Sequence, residues 1–181
     1  MKLLRLFKKT SKGFTLTELL VGLVILGIIS AVIGTFLIGG IKFFQLTSAK
    51  GEIQRDVRQS IDLINRNLRQ GLADTVTITR FDNTQPPCSM IVFSHINGNS
   101  MRFYQLNNKL YSGTKPSGGP DWNDSLAAKN LRGLLFAYPC TEEDSIVSVS
   151  ICFEKSTYQG SSKTLHLSVE KIRIMNRTTN T

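Results

Sequence analysis

Residues 14–41 read FTLTELLVGLVILGIISAVIGTFLIGGI, and this stretch decides how the rest of the chain is arranged. Glu18 is its only ionisable side chain, so residues 19–41 make 23 consecutive uncharged positions dense in Leu, Ile, Val and Phe. At about 1.5 Å per residue, a helix of that length covers roughly 35 Å, enough to cross a bilayer core of about 30 Å. Apolar residues lie on every side of it, so lipid or a ring of similar helices must surround it.

On the amino-terminal side, Lys2, Arg5, Lys8, Lys9 and Lys12 give five positive charges and no negative one. By the positive-inside rule this flank stays in the cytoplasm and everything after Lys42 lies on the far side. A secretory signal peptide has an apolar region of about 7–15 residues and then a small-residue cleavage site. Here the run is longer, and no A-x-A-like site follows. An uncleaved anchor accounts for the hydropathy but not for Glu18. An ionised carboxylate in an apolar helix costs about 2.5 kcal/mol or more at full depth and needs a partner. No basic residue sits within one turn on its apolar side. A new α-amino group at Phe14, made by cutting after Gly13, would be an ideal partner.

The run Lys12-Gly13-Phe14-Thr15-Leu16-Thr17-Glu18-Leu19-Leu20-Val21 resembles the processing site of type IV prepilins and type II secretion pseudopilins. The resemblance implies cleavage after Gly13 by a membrane-embedded prepilin peptidase and methylation of Phe14 to N-methylphenylalanine. It also implies that Glu18 pairs with the terminal amine of a neighbouring subunit during assembly. The basic leader is removed and the apolar helix kept. In one respect the chain departs from the family: many members have a Pro inside the apolar helix, whereas here the first Pro is Pro86. Gly22, Gly27, Gly34, Gly39 and Gly40 either loosen the helix locally or serve as small-residue contacts between packed helices.

Past the membrane, Ile53, Val57, Ile61, Ile64 and Leu68 recur at helical spacing, with Arg55, Arg58, Asp62, Arg66 and Arg69 mostly on the polar side. Gly71 is a plausible terminator. Residues 75–81, 90–95, 101–106, 109–112, 131–138 and 146–153 then read as strands, with Asn97-Gly98-Asn99 a hairpin signal and 113–124 a loop. Leu165, Leu167 and Val169 keep one parity while Ile172 and Ile174 take the other, which predicts a bulge near Glu170-Lys171. The expected class is α+β. A long N-terminal α-helix, one half in the membrane and one half amphipathic, packs on an antiparallel β-sheet in a pilin-like arrangement. The expected divisions are a cleaved leader at 1–13, a transmembrane or filament-core helix at 14–41, a stalk helix at 42–70 and a β domain at 71–181. Within that domain, Phe103-Tyr104-Gln105-Leu106-Asn107-Asn108-Lys109-Leu110-Tyr111 resembles a stretch of minor pilins and larger minor pseudopilins. That favours a minor subunit.

Cys88, Cys140 and Cys152 fall in a compartment that permits disulfides, and their odd number allows one internal bridge. Cys88 with Cys140 is the favoured pair, and three buried free thiols are the alternative. His95 and His166 are isolated and read as structural. Asp121, Asn123 and Asp124 read as a solvated turn rather than a calcium site. Trp122 is either an exposed contact residue or a plug for its own loop. No catalytic, cofactor or metal motif is present, so a non-enzyme is expected.

The net charge of +9 and pI of about 9.7 suggest a nucleic-acid or membrane partner until they are divided along the chain. Removing residues 1–13 leaves +4, and residues 71–181 hold 11 basic and 9 acidic groups. The expected role is a minor subunit of a type IV pilus or pseudopilus, in the bacterial inner membrane with its amino end cytoplasmic, then in a periplasmic or extracellular filament. The implied partners are prepilin peptidase, other pilins or pseudopilins, an assembly platform with its ATPase, and membrane lipid before assembly. The alternative is a competence-type or adhesive pilin whose globular part binds DNA or a surface.

Overall fold

A computed structural model describes residues 13–139, 145–156 and 163–177. The chain forms two compact units, Met1–Phe44 and Gln45–Thr181. One helix, α1 (Leu16–Arg69), begins in the first and ends in the second. In the first unit every large apolar side chain from Leu16 to Phe44 is more than half exposed, Leu16 at 82% and Ile29, the most covered, at 51%. Among the described residues α1 alone is long and apolar enough to cross a membrane.

In the second unit α1 behaves as an ordinary amphipathic helix. Ala49, Ile53, Val57, Ile61, Ile64 and Leu68 are buried at helical spacing. Against that stripe lie two antiparallel sheets where the sequence predicts one. The first has five strands in sequential order: β1 (Thr77–Thr79), β2 (Met90–Ser94), β3 (Ser100–Leu106), β4 (Lys109–Lys115) and β5 (Asn123–Lys129). The second has three: β6 (Leu131–Ala137), β7 (Ile146–Ser156) and β8 (Lys163–Arg173). Their inner faces supply Ile91, Phe93, Phe103, Leu110, Leu131, Phe136, Val147, Val149, Ile151 and Phe153 to a single core with the helix stripe. The architecture is α+β, a long N-terminal helix packed on antiparallel sheets.

Turn chemistry sets the registers. Asn107 and Asn108 both lie in the left-handed region, at φ 46° and 57°, and close the two-residue β3–β4 hairpin with Leu106 opposite Lys109. Two left-handed residues match the twist of the flanking strands, and Asn tolerates that conformation. Gly98, at φ 83°, turns the β2–β3 hairpin at the expected Asn97-Gly98-Asn99.

Three expectations change. The predicted strand at 75–81 shrinks to the three residues of β1, because a 3-10 turn, Ala73–Thr75, occupies its start. The predicted loop at 113–124 is shorter, because β4 runs on to Lys115 and β5 begins at Asn123. β5 is an edge strand, and its residues are exposed or half-buried, so it lacks the apolar alternation that marks a half-buried strand. The predicted bulge near Glu170-Lys171 is absent. β8 pairs with β7 in unbroken register from Lys163 to Arg173. Its parity change is real, but it reflects which face carries which residues. Leu165, Leu167 and Val169 point outward at 49%, 58% and 60% exposure, while Ile172 is buried on the inner face.

β6 is stitched to the first sheet by its backbone amides. Leu131 N–H donates to Asn108 O, Leu134 N–H to Gln105 Oε1 and Phe136 N–H to Cys88 O, each at 2.9 Å. Gln105 is buried, and its Nε2 donates to Arg132 O at 3.4 Å, so one side-chain amide bridges the two sheets. Gln105→Leu keeps the volume but orphans the buried Leu134 N–H. A loss of about 1–3 kcal/mol in denaturant unfolding is expected. A second tie joins distant parts of the chain. Asn176 O accepts from Ala73 N–H at 3.0 Å, and its side-chain amide donates to Arg69 O at 3.3 Å and Gly71 O at 3.4 Å.

Candidate processing and assembly site

Gly13, Phe14 and Thr15 precede α1 and are exposed and non-helical. The bond between Gly13 and Phe14 therefore joins two exposed residues ahead of the helix. A Cβ built on Gly13 meets nothing within 4 Å, so the fold places no steric demand for glycine there. Phe14 is 83% exposed.

The helix is stopped at this point by a reciprocal cap. Thr15 Oγ1 accepts from Glu18 N–H at 3.3 Å, and Glu18 Oε2 accepts from Thr15 N–H at 3.0 Å and from the Thr15 hydroxyl at 2.9 Å. This T-x-x-E arrangement is a capping box. The acidic side chain also sits at the positive end of the helix dipole. Glu18 therefore has hydrogen-bond partners within its own chain, both of them neutral groups of Thr15. The signal that would have found this cap, Thr15 three residues before Glu18 at the start of an apolar run, is present in the sequence. Cutting after Gly13 leaves Thr15 N–H a peptide amide, so the cap survives processing.

Among the described residues no group of three His, Cys, Asp or Glu side chains is placed to hold a metal ion. His95 shares a 2.8 Å hydrogen bond with Gln70 Oε1, and His166 pairs across the ladder with Phe153. Cys88 and Cys152 are half-buried and not bridged to each other. The favoured Cys88–Cys140 pair involves Cys140, which lies outside the described residues. Burial pushes the Cys152 thiol above its ordinary pKa.

Trp122 is a plug rather than a free contact. The Arg102 guanidinium lies 4.3 Å from its ring centroid, 5.1 Å from Tyr104 and 5.4 Å from Phe81. Arg102 Nε donates to Asp124 Oδ1 at 3.0 Å, and its Nη2 pairs with Asp124 Oδ2. Asp124 is thus an acceptor for Arg102 on β5, not part of an open turn. Burial, with the Asp124 carboxylate beside it, pushes the Tyr104 phenol up to about 12. Tyr104 stacks on Phe81 at 4.1 Å and on Tyr111 at 5.3 Å between centroids, so the quoted minor-pilin-like stretch forms a packed hairpin.

Between β3 and β5 the pair spans an intervening strand. Arg102 stands opposite Gly113, and Gly113 opposite Asp124. A Cβ at Gly113 would lie 2.1 Å from Asp124 Oδ1 and 2.9 Å from Arg102 Cγ. The missing side chain is what lets the two charges meet.

No curated protein matches the chain. Residues 8–34 match the family described as the prokaryotic N-terminal methylation motif, which covers Gly13, Phe14, the capping box and most of the uncovered apolar helix. The chain thus carries a prepilin-type N-terminal methylation motif on a long apolar helix, consistent with the type IV pilin and pseudopilin family.

Proposed function

We propose that this chain is a non-enzymatic minor subunit of a type IV pilus or pseudopilus. It is inserted in the bacterial inner membrane with its amino end cytoplasmic and its second unit on the far side. Prepilin peptidase removes residues 1–13 and Phe14 is methylated. The exposed apolar half of α1 then leaves lipid for a filament core made of similar helices. There Glu18 pairs with the terminal amine of a neighbouring subunit, because an unpaired charge in that core is costly. The observation that carries this reading is the methylation motif at residues 8–34, which spans the expected cut site and the start of a capped helix whose large apolar side chains from Leu16 to Phe44 are exposed. The implied partners are the peptidase, other pilins or pseudopilins, and indirectly the assembly platform and its ATPase.

Intact mass of the protein recovered from membranes tests the first step. The expected mass is that of a chain beginning at Phe14 with one added methyl group. A chain that retains its leader, or is cut beyond Phe14, would overturn the reading.

A further inference from the structure

β8 is an edge strand, with an open edge and an exposed outward row among the described residues. Among the described residues only β7 pairs with it, whereas the opposite edge of the same sheet, β6, has three amides satisfied by the first sheet. Its outward row is also apolar at the centre. Leu165, Leu167 and Val169 are each about half exposed or more, and Leu135 of β6 joins them at 47%. An open, apolar edge of this length is a template for another strand.

Charge decides which strand. Lys163 and Lys171 bracket the apolar trio on the same outward row. If two copies paired antiparallel so that Leu165 met Val169 and Leu167 met Leu167, each Lys163 would stand opposite a Lys171. Like charges directly opposite are destabilising. The nearby carboxylate does not relieve this. Glu154 already accepts from Arg132 at 2.7 Å and from Lys163 at 2.5 Å, one negative charge between two positive ones.

We propose that β8 is a docking strand for a different polypeptide. The partner adds an extended strand to the free edge, with apolar residues at alternate positions and acidic residues against Lys163 and Lys171. Because this rests on the filament reading, the partner is expected to be another chain bearing the methylation motif. The two cations then serve twice, attracting the acidic partner and blocking self-pairing.

The test uses the full chain in its own host, with p-benzoylphenylalanine placed at Leu167 and, as a control, at Leu126 on β5. Irradiation is expected to join position 167 to one other motif-bearing chain, identified by peptide mass, and position 126 to none. Lys171→Glu should lower that adduct about fivefold or more and produce a self-adduct, because Lys163 of one copy then faces an acid on the other. A self-adduct in the parent, no adduct at 167, or an adduct insensitive to Lys171→Glu would each overturn the proposal. Mature mass on the same sample keeps the two readings apart. A chain correctly cut before Phe14 yet without the adduct loses the docking strand and keeps its place as a processed pilin.

Discussion

Glu18→Gln is expected to stop filament assembly as completely as Glu18→Ala, while leaving cleavage after Gly13 intact. The capping box makes this a discriminating comparison. Gln supports the same reciprocal cap, since its Oε1 can accept from Thr15 N–H, so the helix start should be preserved. What Gln lacks is the charge. The magnitudes show why that matters. A cap is worth about 1 kcal/mol, whereas an ionised carboxylate deep in apolar surroundings costs about 2.5–3.5 kcal/mol. A residue kept only for capping would be better as Gln, which gives the hydrogen bonds without the desolvation. Thr15→Ala completes the set, weakening the cap by about 1 kcal/mol while retaining the charge, and should still assemble. Sheared filament fractions, read beside the mature mass of each variant, provide the measurement. Normal assembly by Glu18→Gln would mean that capping is the whole of the residue's role.

Gly113→Ala is expected to destabilise the second unit by about 2–4 kcal/mol, the reverse of what glycine replacement in a strand usually does. The added methyl occupies the gap through which Arg102 reaches Asp124. Breaking that bidentate pair loses charge-assisted bonds worth about 1.5–3 kcal/mol and frees a guanidinium from its aromatic surroundings, worth about 0.5–2 kcal/mol more. Gly133→Ala is the control, because a Cβ there meets nothing within 4 Å and the strand should lose no stability. Trp122 is the only tryptophan and lies against Arg102, so its fluorescence reports on the affected site directly. In an Asp124→Ala background the Gly113→Ala cost should largely vanish, as expected if the two changes disrupt one interaction. An undiminished cost there would place the strain in the backbone instead.

The features legible in the sequence were those with a period. The Ile53–Leu68 stripe at helical spacing and the alternation of Val147, Val149, Ile151 and Phe153 each report burial on one face, and all of these residues are buried. β5 was not legible because neither of its faces is deeply covered. β8 misled in a different way, since alternation implies an apolar row facing in. Here the inner row carries Thr164, His166, Ser168 and Glu170, and Glu170 meets the stalk helix by accepting from Asn65 Nδ2 at 3.1 Å. At the start of the helix the charge of Glu18 is plain in the sequence, whereas its capping role depends on the three-residue spacing from Thr15. The Arg102–Asp124 crossing was beyond reach. It joins residues 22 apart and exists only once two strand registers have been set.

The sequential strand order of both sheets bears on the order in which the chain folds. Every strand pairs only with its neighbours along the chain, so each ladder can form as soon as the next segment arrives. Such short-range pairing carries little loop-closure cost and favours rapid folding. Long-range bonds come on top of these ladders, as at Asn65–Glu170 and at Asn176, whose bonds reach back over a hundred residues to Arg69, Gly71 and Ala73. Because a chain is synthesised from its amino end, the helix and both meanders are complete before Asn176 is made. The last long-range bonds to form are then those that fasten the tail to the foot of the helix.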